Sequence, residues 1–405
     1  MCQNTKMINT LDSKMDVAIV SAKRTPIGSL LGNLSTVSAP ELGSSAIGAA
    51  LIESNVEASD IDEVVMGNVL GAGLGQAPAR QAAIGARLPS SVRCSTINKV
   101  CGSGMKAIAN TCNSIQLGQS QVAVAGGMES MSLAPFLINS MRGGNKFGHT
   151  NIIDHMQFDG LQDAYQGVAM GSFAENCAER FQFGRSEQDE YAIESLKRAK
   201  YSVENMLFKD EICEVTVKTK KSLKVIGVDE QPLKADVNKI GDLKPAFKEN
   251  GTLTAANSSS ISDGAAALLL CDSRFAASKK IAPLAWIRGI SEFSQESEWF
   301  TLSPIGAIQD LMSKLDWALS DVGLWEINEA FAVVPMATMR ELNIHHSKVN
   351  VRGGACALGH PIGASGARIV VTLVHSMIKE SCRKGIASIC IGGGEAMAIA
   401  IELSD

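Results

Sequence analysis

Gln121-Val122-Ala123-Val124-Ala125-Gly126-Gly127-Met128-Glu129 is an apolar run closed by a glycine pair and a glutamate. Near the other end, Ile389-Cys390-Ile391-Gly392-Gly393-Gly394-Glu395 closes the same way. Short apolar runs of this kind read as strands buried on both faces of a sheet. Working back from each, the same features recur in the same order. Ser59-Asp60-Ile61 leads into Val64-Val65-Met66 and Gly67-Asn68, and Ser320-Asp321-Val322 leads through Leu324-Trp325-Glu326-Ile327 into Asn328-Glu329. The span from Asp60 to Cys101 nearly equals that from Asp321 to His360. A helix and then the glycine-closed strand follow in each copy, so the chain reads as a duplication.

Strand-like runs at Asp16–Val20, Val64–Met66 and Gln121–Ala125 alternate with helix-like stretches at Pro40–Ser54 and Gly102–Leu117. That alternation predicts α/β architecture built from βαβ units. The middle of the chain is more polar. It carries a charged amphipathic stretch, Ser186–Met206, and a hairpin-like stretch from Glu214 onward. We read residues 132–258 as an inserted loop domain, residues 15–131 with 259–282 as the first half, and 283–405 as the second.

Bulk properties narrow the function. The 405 residues are 45% hydrophobic and 20% charged, with a formal net charge of -5 and pI near 5.8. That length suits two or three domains. The densest basic stretch, Lys218–Lys224, is short and reads as a solvated hairpin, so no nucleic-acid partner is expected. Ten cysteines are scattered singly from Cys2 to Cys390, with no CxxC pair or zinc spacing. They read as reduced thiols, with no metal. No run reaches the length of a membrane span. Met1–Lys14 fits neither a secretory signal nor an arginine-rich transit peptide, and Leu403-Ser404-Asp405 is no peroxisomal address. A cytoplasmic location is the expectation.

Four stretches carry chemistry. In Asn98-Lys99-Val100-Cys101-Gly102-Ser103-Gly104-Met105-Lys106 a cysteine stands at a strand-to-helix junction, where glycines admit a substrate and the helix end favours a thiolate. Taken alone, the stretch also suits a small buried residue at a tight turn. In Gly353-Gly354-Ala355-Cys356-Ala357-Leu358-Gly359-His360-Pro361-Ile362-Gly363-Ala364-Ser365-Gly366-Ala367-Arg368 one histidine stands among small residues, at the repeat position of Cys101. A Cys–His pair is a standard way to activate a thiol. Cys390 before three glycines and Asn328-Glu329-Ala330-Phe331-Ala332 at a strand end complete the set, and each is weak singly.

Taken together and in this order, the four blocks resemble those of the thiolase family, most nearly its biosynthetic, acetoacetyl-coenzyme A branch. Ser21–Gly28 and Asn257–Ala267 add to the likeness, which runs from about Met15 to the end. The resemblance implies a thiolase-like, layered α/β/α/β/α fold. It also implies an acyltransferase that joins two acetyl-coenzyme A into acetoacetyl-coenzyme A, and the reverse thiolysis, through a cysteine acyl-enzyme. Cys101 is the implied nucleophile, His360 its activator and Cys390 the acid/base at the α-carbon. Asn328 (through a held water) and His360 would form one oxyanion hole; the N–H groups of Cys101 and Gly392 would form the other. Ser259, Met170, Phe247 and Phe331 are the implied substrate contacts, with Phe247 toward the adenine end. No cofactor is implied, because coenzyme A is itself substrate and product. Ser140–Gly148 and on to Gly160 resembles the family's tetramerisation loop, which implies a homotetramer. Four departures stand out: Arg352, whose charge is expected near the site, Ala169, Ser260 and Glu395.

A degradative thiolase of longer chain preference and a non-catalytic acyl-coenzyme A binding protein are the alternatives. Ketoacyl synthases share the implied fold but lack a Cys390-like block. No strand is followed by GxGxxG, which argues against a dinucleotide site.

Overall fold

A computed structural model describes residues 16–218 and 222–404. The reading of Met1–Lys14 and the tip of the 214–224 hairpin lie outside the described residues. Nine strands run through one continuous sheet: β1 (Val17–Arg24), β2 (Glu63–Gly67), β3 (Arg93–Ile97), β4 (Val122–Ser130), β5 (Ser262–Asp272), β6 (Ala285–Ser294), β7 (Leu324–Ile327), β8 (Lys384–Ile391) and β9 (Glu395–Leu403). Their order is β3-β2-β4-β5-β1-β6-β9-β8-β7, with the two-residue strand Gly28–Ser29 attached to β5.

The duplication is visible in that order. β2 and β4 are parallel, as are β7 and β8. β5 then lies antiparallel to β4 and β1, and β9 lies antiparallel to β8 and β6. The halves meet where β1 and β6 pair antiparallel, from Val17↔Ile287 to Ile19↔Ala285. Asp60 and Asp321 each end a short 3-10 turn before the first strand of their copy. The glycine pairs, however, do not correspond. Gly126-Gly127 lies inside β4, whereas Gly393-Gly394 lies in the turn after β8 with φ of +92° and +95°. Counting along the ladders from Glu63↔Ala123 and Leu324↔Gly385, Met128 occupies the level of Cys390. Both segments need glycine for different reasons, close packing in one and positive φ in the other.

Helices fill three further layers. α1 (Ala39–Ser54) and α2 (Pro78–Gly85) cover the outer face of the first half. α1 begins with a capping box between Ser38 and Glu41 and ends at Asn55 in the left-handed region. α3 (Ser103–Gln116) lies in the middle. α4 (Met170–Phe181) and α5 (Arg185–Glu204) belong to the 132–258 segment, as does the expected hairpin, Val215–Lys218 with Leu223–Ile226. α6 (Ser303–Leu315) and α7 (Val333–Leu342) back the second half. α8 (Ser365–Lys379) packs on α3 and on strands of both halves. The layers are thus helix, sheet, helix, sheet, helix. Ile369, Val370, Val371, Leu373 and Val374 of α8 are all fully buried, as a helix between two sheet layers requires. Each such side chain contributes about 1.5–3 kcal/mol by leaving water. No helix among the described residues is long and apolar enough to cross a membrane.

Candidate active site

α3 and α8 approach each other through reciprocal glycines. A Cβ on Gly104 would lie 2.8 Å from the Ala367 nitrogen, and one on Gly366 would lie 2.6 Å from the Met105 nitrogen. Only glycine allows that approach, and it fixes the N-terminal ends of both helices side by side. Cys101 precedes one end and His360 the other.

The Cys101 turn is held under local strain. Val100 adopts φ +47°, costly for a β-branched residue. Ser103 Oγ accepts the Lys99 N–H at 2.8 Å and donates to the Val100 carbonyl at 2.7 Å. The Cys101 thiol is half-buried and accepts N–H groups from Gly392 and from its own backbone. Burial nevertheless pushes it up to about 11, so at rest it is a thiol. The expected bias of the helix end toward a thiolate is outweighed, because desolvation penalises the charge more than two N–H groups repay it.

His360 is buried, and its N–H donates to the Ser260 carbonyl at 3.0 Å. Its Nδ1 lies 2.5 Å from Ser365 Oγ, which donates onward to the Pro361 carbonyl at 3.0 Å. Ser365 has one proton to give, so Nδ1 carries the imidazole proton and Nε2 keeps a free lone pair. Nε2 has no partner among the described residues. Burial, then the Arg368 charge, push the imidazole down to about 3. It is a neutral base aimed at whatever enters.

Cys390 is the penultimate residue of β8, fully buried, its thiol pushed far up by burial and then by the nearby Cys101. Asn328 follows β7, and its N–H donates to the Ser388 carbonyl at 2.9 Å. Its side chain is 1% exposed, yet neither amide atom has a partner among the described residues. Burying such a group unpaired costs about 1–3 kcal/mol, which a fold tolerates where the group serves a ligand.

The remaining expected contacts gather round this centre. A Cβ on Gly392 would lie 3.6 Å from Val100 Cγ1 and 3.7 Å from Met170 Cε, so Met170 sits beside the glycine turn. Phe247 covers Gly171 and meets Phe331 edge-on, with ring centroids 5.7 Å apart. The segment 258–261 bridges to Phe331 on one side and His360 on the other, and the Ser259 N–H donates to the Ala330 carbonyl at 3.0 Å.

Family models agree with this architecture. The thiolase N-terminal domain matches residues 17–274 and the thiolase C-terminal domain matches residues 281–403. This chain belongs to the thiolase family. Acetyl-CoA acetyltransferase 2 of Arabidopsis thaliana is 49% identical over 391 residues, covering 96% of this chain and 97% of that protein. Mitochondrial acetyl-CoA acetyltransferase of Rattus norvegicus is 45% identical over 389 residues, covering 96% and 91%. The crystal structure of the Acat5 thiolase from Ascaris suum in complex with coenzyme A superposes with TM-score 0.92 at 43% identity, covering 96% of this chain and all of that one. That of the Bacillus anthracis acetyl-CoA acetyltransferase gives 0.95 at 38%, covering 97% and 100%.

The departures in this thiolase fall in distinct places. Arg352 is buried and pairs with Glu380 at 3.1 Å, beyond the C-terminal end of α8. His360 precedes the other end of this helix, which is about 20 Å long at the rise of an α-helix. The Arg352 charge still acts on Glu326, the partner of Arg368, whose own charge acts on His360. Glu395 pairs with Lys99, and Glu292 joins them at 3.3 Å from the same ammonium, so it ties the Cys390 turn to the Cys101 turn. Ala169 is exposed before α4, and Ser260 supplies the carbonyl that holds His360.

Two supporting residues escaped the sequence reading. Ser365 sets the imidazole tautomer, and Glu329 accepts from Tyr191 Oη, Ser195 Oγ, Asn350 Nδ2 and the Cys356 N–H at 2.8–3.0 Å. Glu329 thereby staples α5 to the segment leading into His360. Both lay inside quoted blocks, and nothing in spacing distinguished them.

Proposed function

We propose that this thiolase joins two acetyl-coenzyme A into acetoacetyl-coenzyme A and coenzyme A, and catalyses the reverse cleavage. The observation that carries the reading is a half-buried thiol and an imidazole with an open Nε2 at the adjoining N-terminal ends of α3 and α8, with a buried amide left open at Asn328. The names of its relatives support the acetyl substrate.

In the first step His360 Nε2 takes the Cys101 proton and the thiolate attacks the acetyl carbonyl. The developing oxyanion, on the carbon now bonded to Cys101, is held by the N–H groups of Cys101 and Gly392 that gather at that sulfur. The coenzyme A thiolate leaves with the Cys390 proton, and Cys101 is acetylated. In the second step the Cys390 thiolate takes an α-proton from a second acetyl-coenzyme A, whose enolate oxygen is held by His360, still protonated at Nε2, and by a water on Asn328. The enolate carbon attacks the acetyl group, Cys101 leaves, and His360 returns its proton. One good oxyanion donor is worth about 3–4 kcal/mol, so two such holes match a reaction with two kinds of oxyanion, tetrahedral and enolate. Coenzyme A would run past Met170, Ser259, Phe331 and Phe247, using the inserted 132–258 segment. As drawn, the reaction uses no metal or redox cofactor.

We further propose a cytoplasmic homotetramer. Exposed Phe136, Met141, Phe147 and Ile152 in and beside the 140–160 loop favour a partner surface there. Light scattering and cell fractionation test these two points. The activity is tested with purified protein, acetoacetyl-coenzyme A and free coenzyme A. Loss of the 3-ketoacyl thioester is expected, and no cleavage of any chain length would refute the reading.

A further inference from the structure

We propose that Glu129 is a positioning residue, locking the Asn68–Leu70 loop and the His360–Gly363 loop into the single arrangement in which His360 can serve Cys101. The inference rests on the reading of His360 as the activating base.

Glu129 lies at the end of β4, fully buried. Its Oε2 accepts the N–H of Val69 at 3.0 Å and of Gly363 at 2.9 Å. Its Oε1 accepts Leu70 N–H at 3.1 Å and Asn68 Nδ2 at 2.8 Å. Four donors from two loops, one in each half of the chain, therefore converge on one carboxylate. The loops have no slack: a Cβ on Gly363 would meet Glu129 Oε2 at 2.5 Å and the Asn68 Cα at 3.0 Å. Val69, Leu70 and Ile362 form one apolar cluster against which Val100 and Cys101 pack. The carboxylate thus fixes the wall beside the nucleophile and the loop bearing its base together.

All four contacts require an acceptor. Protonation, or replacement by an amide, puts a donor against donors and breaks at least one of them. Burial first, opposed by the N–H groups of Val69, Leu70 and Gly363 and aided by Asp263 on the neighbouring β5, pushes the carboxyl up to about 7. The other ionisable group in the two loops is His360, neutral throughout this range. The arrangement should then be lost as pH falls through about 7. His360 and Cys101 titrate near 3 and 11, outside that window. Glu326, pushed up to about 8, lies close to it, so a second variant must separate the two. Asn68→Ala removes a donor to Glu129 and to the Met128 carbonyl but none to Glu326, and should raise the midpoint.

The experiment compares wild type, Glu129→Gln and Asn68→Ala. Thiolysis is followed from pH 5.5 to 9, with Cys101 alkylation by iodoacetamide at pH 8 and circular dichroism for folding. We expect Glu129→Gln to lose about 10- to 100-fold in kcat, as a displaced catalytic group does, with KM for coenzyme A within about twofold. Its acid limb near pH 7 should vanish, its Cys101 alkylation should slow about tenfold, and the limb of Asn68→Ala should move up by about one pH unit. Wild-type kcat and alkylation in Glu129→Gln, or an unmoved limb in Asn68→Ala, would overturn the proposal. If Glu129→Gln does not fold, the Asn68→Ala midpoint decides. Absence of wild-type turnover would count against the proposed reaction instead, and the alkylation rates would still test Glu129.

Discussion

The two turns that precede α3 and α8 occupy the same place in the duplicated halves and have been built in opposite ways. The first reaches Cys101 through a left-handed Val100 and leaves the thiol half-buried. The second reaches His360 after Gly359 at φ +109°, buries the imidazole and fastens it through Ser365. One level away in the sheet, Met128 and Cys390 stand in register, an inert side chain in one copy and a thiol in the other. The duplication supplies two helix ends aimed at one spot. The chemistry comes from where the copies differ.

The strongest way to break this comparison is to remove the thiol at the first turn. Cys101→Ala should lower turnover by about 10⁶-fold and show no acetyl label by intact-protein mass spectrometry after acetyl-coenzyme A. Near-normal turnover would end the assignment. Cys390→Ala, which makes the second half resemble the first, should lower condensation by about 10²- to 10⁴-fold. Its label, mapped by peptide digestion, should remain on Cys101; label on Cys390 in the wild type would reverse the roles.

Asn328→Ala sharpens the comparison at the strand end. We expect about 10²- to 10³-fold loss in kcat, with unfolding free energy unchanged or slightly raised, since a buried unpaired amide is removed. Destabilisation in urea without a catalytic defect would make Asn328 a packing residue. Gly366→Ala forces a methyl group against the backbone of Met105 and should destabilise by about 1–3 kcal/mol in the same assay. The smallest effect is expected at the far end of α8. Arg352→Met should leave kcat/KM within about twofold across a 3-ketoacyl chain-length series, because the charge it removes is already paired with Glu380. A shift in chain preference would restore a role for its charge.

The duplication, the strand and helix alternation and the four motif blocks were legible because each is local. Hydrophobic period and glycine placement report burial and turns within a few residues. The glycine-pair correspondence failed for the same reason: Gly126-Gly127 and Gly393-Gly394 look alike in sequence, and only strand register shows that one pair lies within a strand and the other beyond it. Charge at a distance was equally opaque. Arg352 stands close to His360 in sequence, yet the pairing with Glu380 carries it toward the opposite end of α8.

By itself, then, the sequence determined which residue types were available and in what order: a cysteine at a strand-to-helix turn, a histidine among small residues, a second cysteine before three glycines. The tertiary structure decided their states. Desolvation, which no linear pattern records, makes Cys101 a thiol and His360 a neutral base at rest. The tautomer comes from Ser365 and the loop arrangement from Glu129, which accepts from Asn68, Val69 and Leu70, 59 to 61 residues away, and from Gly363, 234 residues away. Such contacts exist only once two sheet halves have closed on α3 and α8, because burial and hydrogen-bond direction are properties of the packed chain.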